Sequence, residues 1–342
     1  MGSNIAPIVK RKIISLKDLS YKVLAVDASI EIHQFLALVR KPNGELFTNK
    51  EGKVTSHLIG LLFRTTRLIS EYGINLIFVF DGKPPELKKG EILRRRIEKE
   101  KAMKEWIEAL IKQDYRKAFS KAVVTGKIDE EILNSTKRLL NLLGIPYIEA
   151  PSEAEAQAAY MAINGTAWAC ATKDYDALLF GAPRIVRYLS IKGFEFLPSK
   201  GIMRPIKPEL VIAEEVYKEL NINREQLIDL AILVGTDFNE GIKGIGPKKA
   251  LELIKKYKKI ENMPLNIRKK LPDNYEEIRN FFLNPSVLKE FSIKFGDIDE
   301  KGLIEFLVHE MDFSEERVRG AIERMRKGII KRKQGSLNYW FN

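Results

Sequence analysis

Cysteine is nearly missing from this sequence: its 342 residues hold one, Cys170, inside an apolar run. No internal disulfide can form, a reducing compartment is the expected setting, and Cys170 reads as a small core residue. Histidine is almost as scarce, at His33, His57 and His309, all in or near expected helices, the latter two read as structural. No stretch approaches the roughly 18 uninterrupted apolar residues of a membrane span. A secretion signal is not evident at the N-terminus, and Ala6 stands where a myristoylation signal after Gly2 needs Ser or Thr. The absence of a G-x-x-x-x-G-K-[ST] loop disfavours an ATPase or helicase.

Positive charge, by contrast, is plentiful. Lys and Arg number 58 against 46 Asp and Glu, a formal charge of +12, so nucleic acid, an acidic membrane or an acidic protein are the partners to weigh. The length suits one large α/β domain with appended helices, or two domains.

Acidic residues recur at strand ends. Lys22 to Val26 is a short apolar strand that stops at Asp27, with helical spacing from Ile30 to Val39. A second helix spans His57 to Glu71. Leu76 to Phe80 is fully apolar and stops at Asp81, and Thr166 to Thr172 reads as a strand buried on both faces with Asp174 and Asp176 beyond it. If the chain stays extended there, those two carboxylates point the same way. Glu153 and Glu155 open the helix before that strand, where Ser152 and Glu155 have capping-box spacing. In an open α/β sheet, the carboxyl ends of parallel strands line the ligand crevice. Each aspartate alone could be a helix cap. Five or more carboxylates on one edge are costly unless cations sit among them, and an all-oxygen set points to Mg²⁺ or Mn²⁺ rather than zinc.

Between Gly82 and Glu131 the composition shifts to Pro84-Pro85 and a basic helical stretch, with Lys88, Lys89, Arg94, Arg95 and Arg96 near its start. Such a run is either a solvated helix face or, leaving directly from Asp81, a surface for a phosphate backbone. Helix Glu130 to Leu143, strand Ile145 to Glu149 and a hairpin-like alternation from Arg184 to Leu197 are expected around the acidic stretch. Helix Gln226 to Val234 leads to Asp237. Behind it GIKGIGPKKA, Gly241 to Ala250, sets short-spaced glycines and a proline between helices, with Lys243, Lys248 and Lys249 around them. That is an αα corner, or a backbone cradle for phosphates of the helix-hairpin-helix kind. Tyr275 to Arg326 reads as helical. The tail is basic from Gly328 to Lys333 and ends in Tyr339, Trp340 and Phe341, aromatics that suit a partner's pocket or the protein's own surface.

The segments VDASIEIHQFL, VFDGKPPELKKGEI, IPYIEAPSEAEAQAAYMA, TKDYDALLFG, AILVGTDFNEGIKGIGPKKAL and QGSLNYWF resemble the flap endonucleases, structure-specific 5′ nucleases of the XPG family in their archaeal and eukaryotic form. The resemblance covers nearly the whole chain. It implies a mostly parallel sheet flanked by helices, the PIN-like 5′ nuclease fold, with a helical arch over the active site and a helix-hairpin-helix-type region that uses K⁺. It divides the chain into a nuclease domain over 1–326 and a tail over 327–342. Within the domain it implies nuclease segments at 1–81 and 132–240, the arch at 82–131, the helix-hairpin-helix region at 241–260 and C-terminal helices at 261–326.

Carried over by position, the family's acidic ligands for two Mg²⁺ ions fall on Asp27, Asp81, Glu153, Glu155, Asp174, Asp176 and Asp237. Its catalytic groups fall on Lys88, Arg95 and Asp174, and Gly2 and His33 match its DNA contacts; with Lys88 and Arg95, the basic run adds Arg94 and the hairpin spacing adds Gly241, Lys243, Gly244, Gly246, Lys248 and Lys249 as expected DNA contacts. Gln334, Leu337, Trp340 and Phe341 match its motif for the sliding clamp PCNA. His33 replaces the family's usual tyrosine, Lys173 a usual glutamine, and SNIAPIVK after Gly2 departs from the family pattern. The implied activity is cleavage of 5′ flaps, with 5′-3′ exonuclease activity, by an intracellular, DNA-associated monomer in replication and repair. A sister nuclease for other junctions and a non-catalytic clamp-bound scaffold are the alternatives.

Overall fold

The computed structural model describes residues 3–190, 194–197, 202–205 and 207–340, with side chains given except at 116, 194–197, 202–205 and 330–340. The strands are β1 (Lys12–Ile13), β2 (Val23–Asp27), β3 (Asn75–Phe80), β4 (Tyr147–Glu149), β5 (Ala169–Ala171), β6 (Arg184–Arg187), β7 (Phe194–Leu197), β8 (Ile202–Pro205) and β9 (Glu209–Ile212). Seven of them form one sheet in the order β1-β9-β6-β5-β2-β3-β4. Strands β4, β3, β2, β5 and β6 run parallel, and β9 and β1 close the far edge antiparallel. This is the expected mostly parallel α/β sheet. Because β3 and β5 lie on opposite sides of β2, the winding reverses at β2 and opens a crevice at its carboxyl end.

Helices α1 (Ala28–Leu38), α2 (Ser56–Tyr72), α3 (Lys89–Ile111), α4 (Tyr115–Ala122), α5 (Glu130–Leu142), α6 (Ala154–Ile163) and α7 (Asp176–Leu179) fill the first half of the chain. The second half holds α8 (Ala213–Leu220), α9 (Arg224–Val234), α10 (Pro247–Tyr257), α11 (Leu265–Arg268), α12 (Tyr275–Leu283), α13 (Glu300–Leu303) and α14 (Glu315–Trp340). They form two cores, one on each face of the sheet. Leu36, Leu62, Leu139, Phe306 and Ile322 belong to the core under α1, α2, α5 and α14. Ala158, Leu178, Leu230, Ile254 and Phe282 belong to the core under α6 to α12. Small side chains let α6 approach the sheet closely: Ala154, Ala158 and Ala159 are fully buried, as are Ala169 and Cys170 on β5. Burial pushes the Cys170 thiol well above its ordinary pKa, in keeping with a packing role.

Several expectations are corrected. The strand expected over 166–172 shrinks to β5, and the chain bends after Thr172, so Asp174 and Asp176 do not share one extended segment; Asp176 opens α7. Strand β6 does not pair with β7, since it is taken up between β5 and β9, and the hairpin is β7–β8. The capping box at Ser152 is absent. Glu153 is the cap residue of α6 and makes no side-chain cap bond, and Asp81, 73 positions earlier, accepts from the Ala154 amide at 2.8 Å. The helical reading of 275–326 is interrupted by an irregular segment between α12 and α13, and Ile304–Glu310 winds as a π-helix.

Two buried polar sites carry stability. Asp229 on α9 is 1% exposed. Its carboxylate accepts from Arg279 Nε at 2.6 Å and from the Ile260 amide at 3.2 Å, while Arg279 Nη1 reaches Glu261 at 2.7 Å. Removing one member of such a group strands a charge. Asp229→Ala is expected to lower the unfolding free energy by about 3–5 kcal/mol in urea denaturation, whereas Arg319→Ala, whose partners Glu300 and Glu315 are solvated, costs under about 1 kcal/mol.

The second site is His57 on α2, 1% exposed. Its Nε2 lies 2.8 Å from Ser135 Oγ. That hydroxyl donates to the Glu131 carbonyl at 2.7 Å, so Nε2 carries the proton and donates. Among the described residues Nδ1 has no hydrogen-bond partner, and burial lowers the pKa to about 4. Protonation therefore favours the unfolded chain first. The His57 contribution is complete above about pH 6.5 and is lost towards pH 4, by roughly 3 kcal/mol for a shift of this size. His57→Gln is expected to flatten the pH dependence of unfolding in that window, and an unchanged slope would reject this account.

Candidate active site

Strand β2 delivers Asp27 as its last residue, and the same residue caps α1 by accepting from the Ile30 amide at 3.0 Å. Strand β3 delivers Asp81, which holds the α6 N-terminus through Ala154 and accepts from Ser29 Oγ at 2.5 Å. Gly82 must be glycine here, since a Cβ would stand 2.0 Å from the Ala150 carbonyl oxygen. Helix α6 presents Glu153 and Glu155, the latter accepting from Thr172 Oγ1 at 3.4 Å. Past β5, the Asp174 amide bonds Thr172 Oγ1 at 3.3 Å, and Asp176 accepts from the Ser3 amide at 2.7 Å. Asp237 follows α9. The next residue, Phe238, packs edge-on against Phe281 and Phe282, at 4.9 and 5.4 Å between centroids, and so anchors the loop.

These seven carboxylates share one electrostatic neighbourhood. Burial, then the charge of Asp81, pushes Asp27 well above the usual carboxylate range, with Asp174 adding to it against the pull of the Ile30 amide. Burial acts first on Glu155 as well, followed by Asp27, Asp174, Asp176 and Glu153. Asp176 is raised to about 6 by burial and Asp174, against the Ser3 hydrogen bonds, with a further push from Asp237. Burial likewise raises Glu153, against Lys88 and with help from Asp81 and Asp237. Each acid thus acts on another, as convergence at the β2 crevice requires. Among the described residues no three Asp, Glu, His or Cys side chains form a ready-made metal cage.

The arch residues divide. Lys88, at the start of α3, puts Nζ on Glu153 Oε2 and 3.7 Å from Asp237 Oδ2. Although burial opposes its charge, Glu153, Glu155 and Asp237 hold its pKa above the ordinary lysine value. Arg95 donates from Nε to Glu91 at 2.7 Å and from Nη2 to Asp237 at 2.6 Å. Arg94, by contrast, is spent on Glu91 and, more loosely, Glu98, and its side chain is 58% exposed; the structure does not bring it to the acids. Lys89 pairs with Glu86 and Arg96 with Glu100, as on a solvated helix face. Burial lowers the His33 pKa on α1 to about 4, helped by the charges of Lys99 and Arg95 and opposed by that of Asp81.

The 241–250 segment links α9 to α10. Gly241 has φ 73°, and a Cβ there would meet the Val234 carbonyl carbon at 2.3 Å. Gly246 caps α10 with Pro247 behind it, Ile242 and Ala250 are buried, and Lys243, Gly244, Gly246, Lys248 and Lys249 are exposed. Gly2 and Phe341 lie outside the described residues. Gln334, Leu337 and Trp340 lie on α14, with their side chains likewise undescribed. The site also uses residues that sequence reading passed over. Ser3 and Thr172 bind the cluster through an amide and a hydroxyl, which leave no pattern. Ser29 had a weak signal, as the hydroxyl two residues after Asp27.

Residues 3–102 match the XPG N-terminal domain and residues 144–237 the XPG I-region. The chain is 49% identical over 342 residues to Flap endonuclease 1 of Pyrococcus abyssi, a match covering 100% of this chain and 98% of the relative. Among solved structures, the flap endonuclease-1 from Methanococcus jannaschii matches with a TM-score of 0.75 at 36% identity, covering 96% of this chain and 99% of that one. The catalytic core of Rad2 in complex with DNA substrate matches with a TM-score of 0.70 at 25% identity, covering 94% and 97%. With both family models matched and near-half identity along its whole length, the chain belongs to the flap endonucleases of the XPG family.

Proposed function

We propose that this flap endonuclease hydrolyses a phosphodiester bond at the single-strand/duplex junction of a branched DNA with a 5′ flap, in a reaction that depends on Mg²⁺. Water adds to phosphorus, the bond to the 3′ oxygen breaks, and the products carry a 5′-phosphate and a 3′-hydroxyl. The observation that carries the reading is the coupling of seven carboxylates at the mouth of β2, several pushed up by burial and by one another. A hard cation relieves that repulsion, and a donor set made wholly of carboxylate oxygens fits Mg²⁺, with Mn²⁺ as a substitute.

Glu153, Glu155, Asp174 and Asp176 would hold a pair of ions, with Asp27, Asp81 and Asp237 completing the set. Bound there, the ions supply Lewis-acid polarisation of the scissile phosphate. Lys88 and Arg95, which face Glu153 and Asp237, are poised to turn to a phosphate and offset the charge that develops on its oxygens. Three of the acids reach the crevice on elements that also carry structural bonds, so their oxygens are aimed before substrate arrives.

Duplex and flap are held by backbone charge rather than by base sequence. The arch over 82–131 contributes Lys88, Arg94 and Arg95. His33 stacks on a base near the cut, as an imidazole can, and Gly2 lies at the N-terminal contact. Gly241, Lys243, Gly244, Gly246, Lys248 and Lys249 grip phosphates, with K⁺ at the 241–260 region. The protein works as an intracellular, DNA-associated monomer in Okazaki-fragment maturation and repair, and its 327–342 tail binds PCNA through Gln334, Leu337, Trp340 and Phe341. None of its described helices is long and apolar enough to cross a membrane.

Asp174→Ala is expected to abolish cleavage of a labelled 5′-flap substrate across a Mg²⁺ titration while leaving junction binding largely intact; full residual activity would remove the metal assignment. Deleting residues 334–342 is expected to spare basal cleavage and to lose stimulation by the clamp. A clamp that binds the truncated chain as tightly as the full one refutes the tail assignment.

A further inference from the structure

Arg187 takes no part in the chemistry above, yet it is among the most heavily bonded side chains in the protein. It ends β6, where Glu209 on β9 is its register partner, and it is 8% exposed. Its Nε donates to the Lys173 carbonyl at 2.9 Å, Nη1 to the Tyr175 hydroxyl at 2.7 Å and to Glu209 Oε2 at 2.6 Å, and Nη2 to the Tyr188 hydroxyl at 3.2 Å. The rings of Tyr175 and Tyr188 stack on the guanidinium, with centroids 4.3 and 4.8 Å from its carbon. Tyr175 is itself buried, and its hydroxyl also accepts from Arg11 at 3.1 Å.

The segment so gripped is the one that carries Asp174. Strand pairing fades at Thr172, whose amide reaches the Val186 carbonyl at 3.2 Å, and α7 begins only at Asp176. Lys173, Asp174 and Tyr175 lie between, off the sheet and ahead of the helix. Arg187 holds the carbonyl before Asp174 and the side chain after it, in one rigid planar fork whose charge Glu209 answers. The guanidinium therefore acts through fixed hydrogen bonds on either side of Asp174.

We propose that Arg187 is a positioning residue for the nuclease reaction, setting the backbone on which Asp174 and Asp176 stand through its bonds to the Lys173 carbonyl and the Tyr175 hydroxyl. It rests on the reading that these two carboxylates hold the divalent ions. Groups that orient metal-binding side chains, without touching the metal, commonly change affinity by about 10- to 100-fold.

The test is Mn²⁺ binding to the full-length, DNA-free protein, followed by loss of the free-ion paramagnetic resonance signal, with thermal melting in parallel. The proteins compared are wild type, Arg187→Met, Tyr175→Phe and Asp174→Asn. Arg187→Met is expected to weaken Mn²⁺ binding by about 10- to 100-fold at temperatures well below its melting point, and Tyr175→Phe, which keeps the ring and loses the hydroxyl, by a smaller factor. If Arg187→Met melts earlier but binds Mn²⁺ as wild type does, the residue only braces the sheet and the proposal is overturned. Should Arg187→Met fail to fold, Tyr175→Phe decides, and wild-type affinity there overturns it. Asp174→Asn separates the two readings. Weak binding in that variant beside normal binding in Arg187→Met rejects Arg187 alone, whereas wild-type binding in Asp174→Asn rejects the metal assignment and the proposal with it.

Discussion

Repulsion among carboxylates at the carboxyl end of β2 is the constraint to which the surrounding structure answers. An apolar parallel sheet buries its strands on both faces, so charge can gather only where strands stop, and the reversal of winding at β2 makes that place a crevice. The acids there meet in surroundings that penalise charge, and burial is the first cause of the shifts at Asp27, Glu155 and Asp176. What keeps them in place is the rest of the fold. Asp27 and Asp81 are tied to helix N-termini, Asp176 to the chain's third residue, and Asp237 to a loop anchored by Phe238 in an aromatic cluster. Each tie is a local stabilising contact, and together they oppose a dispersal that electrostatics alone would favour.

The large elements were readable in the sequence because hydrophobic patterning determines them. Strands β2 and β3 are uninterrupted apolar runs that end at an acid, and α1, α2, α5 and α9 have helical spacing, so their positions follow from burial alone. The failures have a common physical origin. Whether β6 pairs with β7 or with β5 and β9 depends on partners far along the chain, and short alternating segments satisfy either. Ser152 has the spacing of a cap, but α6 starts one residue later, with Glu153 as cap residue and Asp81 from another strand on the Ala154 amide. The chain past the bend after Thr172 is held by the bond from Arg187 to the Lys173 carbonyl, which no local propensity encodes.

The site was legible to a similar depth. Seven acids could be named from strand ends and resemblance, and the structure gathers them in one electrostatic neighbourhood. The basic run of the arch could not be sorted from sequence, because five cations in nine residues look alike until partners are known. Folding sorts them by geometry. Arg94, one residue from Arg95, lies some 100° further round the helix, and so it meets Glu91 and solvent while Arg95 spans from Glu91 to Asp237.

That sorting ties the arch to the crevice by charge. Lys88 and Arg95 are both at the foot of the arch, and each holds a carboxylate from the nuclease body, Glu153 and Asp237. The Lys88 and Glu153 side chains are largely out of water, at 17% and 8% exposure, so their attraction is screened far less than that of the surface pairs at Lys89 and Arg96. A buried pair of this kind gains little net stability, since desolvation offsets attraction, but it is costly to break one-sidedly. Lys88 is not held by Glu153 alone: its ammonium also lies 3.7 Å from Asp237, so the arch cation is shared between two acids of the crevice. The repulsion among the acids and the attraction that ties Lys88 and Arg95 to them are, on this structure, two sides of one charge balance.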